Sequence, residues 1–221
     1  MRIVWPYRVL ALVCATAIRP YGLTAQSLAL GPQLVLGDYR EVSSDLHYRG
    51  AGFGAALTVS YHKVAADVAL AQVDYDPTDD ANAVDGFQAR QFDARVRYYL
   101  TGPVSAELGV MSRTVDVDFA AQEAAAVRVG VRVSQLVDPA VRLVLRGNYL
   151  AAAKFSGGGS APFGVDLGLG VSGDLGRGRV RARVVAEYEF QYFGRHTGEG
   201  PDEVSVPIQQ VLLRFGVAAA F

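Results

Sequence analysis

An all-β fold, a closed antiparallel transmembrane barrel of about ten strands with about eight or twelve as the alternative counts, is predicted by three observations. Apolar and polar or small residues alternate with a period of two from Gln26 to Phe221. Turn residues break the alternation at intervals that suit hairpins. The connections alternate between tight and long, as they do in barrels whose turns lie on one side of a membrane and whose loops lie on the other.

The expected strands run Leu28 to Gly37, Gly52 to Tyr61, Val64 to Asp74, Phe87 to Leu100, Val104 to Phe119, Ala125 to Val137, Ala140 to Phe155, Pro162 to Leu175, Arg179 to Phe193, and Val206 to Phe221. His62 and Lys63, Thr101 to Pro103, Asp138 and Pro139, and Gly176 to Gly178 make the tight turns, expected on the periplasmic side with both termini. Asp38 to Ala51, Asp76 to Gly86, Ala120 to Ala124, Ser156 to Ala161 and Gly194 to Ser205 make the longer loops. In the fifth strand the apolar parity changes after Ser112, which predicts a bulge there.

Two domains of use follow. Residues 1–25 carry Arg2 and Arg8, an apolar stretch from Val9 to Ile18 and small residues at Thr24 and Ala25, the plan of a secretory signal peptide. Residues 26–221 form the barrel domain, because no other run is long and apolar enough for a spanning helix, and only helices and closed barrels satisfy the backbone in hydrocarbon. The single cysteine, Cys14, lies in the leader and leaves no thiol, disulfide or cysteine metal ligand behind it. Without Arg2, Arg8 and Arg19, 18 basic residues face 22 acidic ones, which offers no footprint for nucleic acid.

The sixth strand sets Val127, Val129, Val131 and Val133 against Arg128, Gly130, Arg132 and Ser134; the eighth sets Phe163, Val165, Leu167, Leu169 and Val171 against Gly164, Asp166, Gly168, Gly170 and Ser172. A soluble barrel would bury the apolar face. The glycine-rich polar face suits a crowded lumen, and Tyr61, Tyr98, Tyr149, Phe163, Tyr188 and Tyr192 fall near strand ends as interfacial girdles do, so the apolar face is expected to meet lipid. Nine arginines then face inward, Arg95, Arg97, Arg128, Arg132, Arg142, Arg146, Arg181, Arg183 and Arg214, with the acids Asp67, Asp93, Glu107, Asp166, Asp174, Glu187 and Glu189. Each arginine would cost about 2 to 4 kcal/mol on the lipid face at mid-membrane. A structural ladder of cross-strand pairs is expected, with Arg97 opposite Glu107, Asp174 opposite Arg181 and Glu187 opposite Arg214; a selectivity lining for anions is the functional alternative.

The carboxy-terminal alternation Val211, Leu213, Phe215, Val217, Ala219, Phe221 resembles the insertion signal of bacterial outer-membrane β-barrels, and with the leader and the strand pattern the chain resembles the small OmpA, OmpX and OmpW-type barrels. The resemblance implies Sec-type export, residence in the outer membrane of a Gram-negative bacterium, lipid or lipopolysaccharide around the barrel, and recognition of Phe215 and Phe221 by the barrel-assembly machinery. No cofactor and no nucleic-acid partner are expected.

Chemistry is sparse. The histidines are His47, His62 and His196. His47 and His196, expected as neighbours at the outer mouth with Asp45, Glu199, Asp202 and Glu203 nearby in sequence, are candidates for acid–base work. Asp45-Leu46-His47 and Asp74-Tyr75-Asp76 have the spacings found in the omptin proteases, in the reverse order. Ser60 with His62, and a calcium site among Asp76, Asp79, Asp80 and Asp85, are weaker candidates. The expected function is a non-enzymatic structural or surface-interaction barrel, or a narrow passive pore; the alternatives are an outer-leaflet lipid A-modifying or proteolytic enzyme and a soluble periplasmic ligand-binding barrel.

Overall fold

A computed structural model describes residues 27–44, 46–78, 85–176, 180–198 and 203–221. The leader, residues 1–25, lies outside the described residues, as do Asp45, Asp79, Asp80, Glu199 and Asp202. Ten long strands succeed one another: β1 (Ser27–Glu41), β2 (Leu46–Tyr61), β3 (Val64–Pro77), β4 (Phe87–Thr101), β5 (Val104–Val115), β6 (Ala124–Asp138), β7 (Val141–Phe155), β8 (Ser160–Leu175), β9 (Arg181–Thr197) and β10 (Ile208–Ala220). A two-residue strand, Val204–Ser205, adds to the end of β9. Every strand pairs antiparallel with its neighbour, and β10 returns to β1 from Ala29↔Ala220 to Glu41↔Ile208, so the sheet has no free edge along the seam. The seam is sealed at its foot by Phe221 N–H donating to the Leu28 carbonyl at 2.8 Å.

The sheet is turned as the charges require. Leu30, Leu70, Leu108, Leu145, Leu167, Leu169, Phe215 and Val217 stand exposed on the outside, and Phe53 is 77% exposed, while Arg95, Arg128 and Arg214 are buried within. Glycine makes room for this interior. A Cβ on Gly168 would run into the Arg146 side chain at 2.6 Å, and one on Gly37 would enter the Tyr75 ring.

The strands are longer at the loop end than the sequence pattern indicates. Asp38 to Ala51, expected as a loop, is mostly ladder: Asp38↔Arg49, Tyr39↔Tyr48, Arg40↔His47 and Glu41↔Leu46 all pair. The period of two persists there, but the faces exchange polarity. Tyr39 and Tyr48 are buried inside, while Arg40 and Arg49 point out. β9 likewise continues past Phe193 to Thr197.

The fifth strand departs from expectation in the opposite sense. β5 stops at Val115 and a 3-10 segment, Val117–Gln122, follows. No register shift occurs at Ser112; Met111 and Arg113 both face in, and the apparent change of parity comes from the faces exchanging polarity, with Met111 and Val115 on the inward face and Ser112 and Thr114 on the outward one. The extra residue sits in β7, where Ala152 adopts a positive φ of 51° and the pairing to β6 slips between Ala125 and Val127.

Candidate functional site

The lumen is the candidate site, and it divides into three levels. At its middle, Glu189 on β9 collects four arginines from four other strands. Arg95 lies 3.3 Å and Arg128 2.9 Å from its Oε1, Arg146 lies 3.0 Å from Oε2, and Arg214 closes on the same oxygen. Asp93 takes Arg128 at 2.8 Å and Arg214 at 3.1 Å; Asp166 takes Arg128 at 3.3 Å and Arg146 at 3.7 Å; Arg146 also meets Glu187. Asn148 bridges Glu107 at 3.0 Å, and Gln191 donates to Glu189 at 2.7 Å. Arg128, Asp166, Glu189 and Gln191 have no exposed surface, so no water-sized gap opens against them. Such charges persist in a low-dielectric interior because each finds opposite charge and hydrogen bonds.

The expected ladder is corrected by this geometry. Arg97 does stand opposite Glu107, and Glu187 opposite Arg214, in register. Their side chains go elsewhere: Arg97 grips Asp67 through Nε at 2.6 Å and Nη2 at 2.8 Å, Glu107 receives Arg95 at 3.7 Å, and Arg214 passes over Glu187 to Glu189 and Asp93. Asp174 stands opposite Arg183, not Arg181, and takes Arg183 at 2.6 Å and Arg181 at 3.4 Å. The reason is reach. In a narrow barrel a guanidinium spans the lumen, so partners are set across the interior as well as along the wall.

Toward the tight turns the lumen widens into a cavity of about 410 Å³, lined among others by Arg97, Arg132, Arg142, Arg181 and Arg183. Toward the loops it is packed with apolar side chains. Phe87 lies 5.0 Å from the rings of Tyr48, Tyr75 and Phe119, and Phe155 lies 5.6 Å from Phe193. Met111, Leu150, Ile208 and Leu212 complete this core.

Sequence reasoning missed two arginines at this level. Arg113 lies over the Tyr39 ring at 5.0 Å, donates to the Gln122 carbonyl at 2.8 Å and meets Gln210. Arg195 lies over the Phe155 ring at 4.8 Å and donates to the Gly158 carbonyl at 2.8 Å. Counting inward positions strictly by twos along β5 and β9 would have found both. Arg113 holds down the 3-10 segment, whose Phe119 stacks on Phe87, and that segment lies over the loop end of the core.

The histidines do not converge. His47 lies on the outer wall of β2, 2.9 Å from Asp38, which also receives Arg49 at 3.2 Å. His196, on β9, is 3.1 Å from Glu203. β10 and β1 stand between them, so about 14 Å separates their strands at the usual spacing. Asp74 receives Gln88 at 2.7 Å on the outer wall. Ser60 lines the turn-end cavity, and His62 sits in the adjoining turn against the Tyr61 ring. Phe215 and Phe221 face outward, 45% and 54% exposed.

No family model matches the chain, and no curated protein is found to be similar in sequence. Among solved structures it is similar to the outer membrane protease OmpT from Escherichia coli, at 8% identity over 92% of this chain and 99% of that one, with a TM-score of 0.49. It is similar also to Neisserial surface protein A, at 14% identity over 86% and 95% with a TM-score of 0.40, and to the outer membrane protein AlkL, at 9% over 92% and 93% with a TM-score of 0.36. These are Gram-negative outer-membrane β-barrels; this chain's own strand pairing makes it a closed antiparallel barrel of ten strands.

Proposed function

We propose that the chain is an integral outer-membrane β-barrel that works as a closed, non-enzymatic scaffold, holding its loop end above the membrane for interaction at the cell surface. The belt around Glu189 carries this reading: arginines from β4, β6, β7 and β10 meet one carboxylate across the lumen, and Arg128, Asp166, Glu189 and Gln191 have no exposed surface, which argues against a passive pore. The outward leucines and valines of the turn-end half support immersion in lipid. The packed core of the other half supports a rigid platform beyond the bilayer. Export is by a Sec-type leader, the tight turns face the periplasm, lipopolysaccharide and lipid surround the wall, and Phe215 and Phe221 serve the barrel-assembly machinery.

The test is conductance. Purified barrel in planar bilayers gives no discrete current steps, while the same preparation shows heat-modifiable migration as proof of folding. Reproducible unitary steps from folded protein would overturn the closed-scaffold reading, and a monodisperse folded protein in detergent-free buffer would overturn the membrane reading.

A further inference from the structure

Lumenal charge is segregated by level. The belt sets Arg95, Arg128, Arg146 and Arg214 against Asp93, Glu107, Asp166, Glu187 and Glu189, and is close to self-neutral. The turn-end cavity adds Arg97, Arg132, Arg142, Arg181 and Arg183 against Asp67 and Asp174, and its floor is made by Arg95, Arg214, Asp93 and Glu187 of the belt. Asp67 and Asp174 are already engaged through both oxygens. Asp67 gives both oxygens to Arg97 and accepts Thr58 at 2.7 Å; Asp174 gives both to Arg183, at 2.6 and 3.0 Å.

Three guanidiniums are left with unspent charge. Arg132 reaches Asp67 only at 3.7 Å and Arg181 reaches Asp174 at 3.4 Å, and the Nε of each is buried without a hydrogen-bond partner among the described residues. Arg142, at the cavity rim, makes no ion pair with any described residue. The acids on the floor are engaged by belt arginines, Asp93 by Arg128 and Arg214 and Glu187 by Arg146, and the rest of the wall offers Ser60, Ser134, Ser172, Gly170, Gly216 and Ala218, which leave room. Guanidinium donors match the oxygens of phosphate and carboxylate groups, and a cleft with low-dielectric walls concentrates their field. A volume of about 410 Å³ falls within the range of small-molecule sites.

We propose that the turn-end cavity is a binding site for a small multivalent anion bearing phosphate or carboxylate groups, held by Arg132, Arg142 and Arg181 and stopped from passing further by the belt. With the turns in the periplasm, the ligand enters from that compartment. The site is a blind chamber, so it retains an anion without conducting it.

Tripolyphosphate titrated calorimetrically into the folded barrel in detergent at low salt tests this, with citrate titrated in parallel to separate phosphate from carboxylate recognition. Saturable one-site binding of either is expected, weakened about tenfold by Arg132→Gln and about tenfold by Arg142→Gln, the loss of one charged hydrogen bond each. Arg49→Gln, on the outer wall, binds as the parent does. Heat-modifiable migration of each variant certifies that it has folded, and Arg142, being exposed at the rim, is the change least able to disturb folding. Absence of saturable binding by the folded parent, or equal affinity in both cavity variants and the parent, would overturn the site. Either result leaves the closed-scaffold reading to the conductance test, which is scored separately.

Discussion

Along β1, Leu30, Leu34 and Leu36 stand outside while Ala29, Gly31 and Gln33 face in; five residues further the arrangement is inverted, with Tyr39 buried inside and Asp38 and Arg40 outside. The same inversion crosses β2, from Phe53 out and Gly54 in to Arg49 out and Tyr48 in, and β4, from Val96 out and Arg97 in to Arg90 out and Phe87 in. One continuous sheet therefore serves two surroundings. Its turn-end half shows hydrocarbon-like side chains to the outside and keeps charge within. Its loop-end half is built like a soluble protein, with an aromatic core and a polar wall on which Asp38, His47, Arg49, Asp74, Gln88 and Arg90 bond to one another. The difference teaches that a strand's period reports its geometry, whereas the polarity of each face reports the medium beside it.

The contrast can be broken by substitution. Glu189→Ala is expected to have the largest effect, because it takes one carboxylate from Arg95, Arg128, Arg146 and Arg214 together; loss of one partner of a buried pair already costs about 3 to 5 kcal/mol. The midpoint of heat-induced gel-shift unfolding reads it, and a midpoint like the parent's would mean that the belt is not held as described. Phe87→Ala removes the ring at the centre of the opposite half and is expected to cost about 3 kcal/mol in urea unfolding from lipid vesicles. Leu169→Arg, outward in the turn-end half, is expected to cost about 2 to 4 kcal/mol in the same assay, less if it lies near the interface. Arg90→Leu, outward in the other half, is expected to stay within about 0.5 kcal/mol; equal penalties for these two outward changes would erase the boundary between the halves. On the belt's margin the difference between two acids is the reading: Glu187→Ala lowers the gel-shift midpoint more than Glu203→Ala does, since Glu187 engages a buried arginine and Glu203 an exposed histidine.

Strand number, closure order and the inward set from Arg95 to Arg214 were legible because alternation with uniform polarity specifies a face without ambiguity. The upper reaches of β1, β2 and β9 were not, since their polarity inverts while their period holds, and a run of Asp38, Arg40, His47 and Arg49 reads as a loop when outward polarity is taken for exposure to solvent on all sides. Ion-pair partners were legible only as register. Arg97 and Glu107 face each other on the ladder, but a guanidinium at the end of a long stem chooses among carboxylates on several strands, and that choice depends on lumen width, which no single strand encodes. Arg113 was hidden by the same inversion, because Met111 and Val115 make its face read as apolar although the count by twos still turns it inward. The segregation of charge into a neutral belt and a cationic cavity likewise depends on which acids are already taken.

The carboxylate of Glu189 has a consequence for assembly. Its four guanidinium contacts come from β4, β6, β7 and β10, so they come together only when the final stave has swung round to meet the others. A half-wrapped sheet holds several like charges in poor company, and the relief arrives at once when the cylinder shuts. Closure of this molecule therefore carries Arg95 across from β4 to a carboxylate that Arg214, on the strand beside it, already meets.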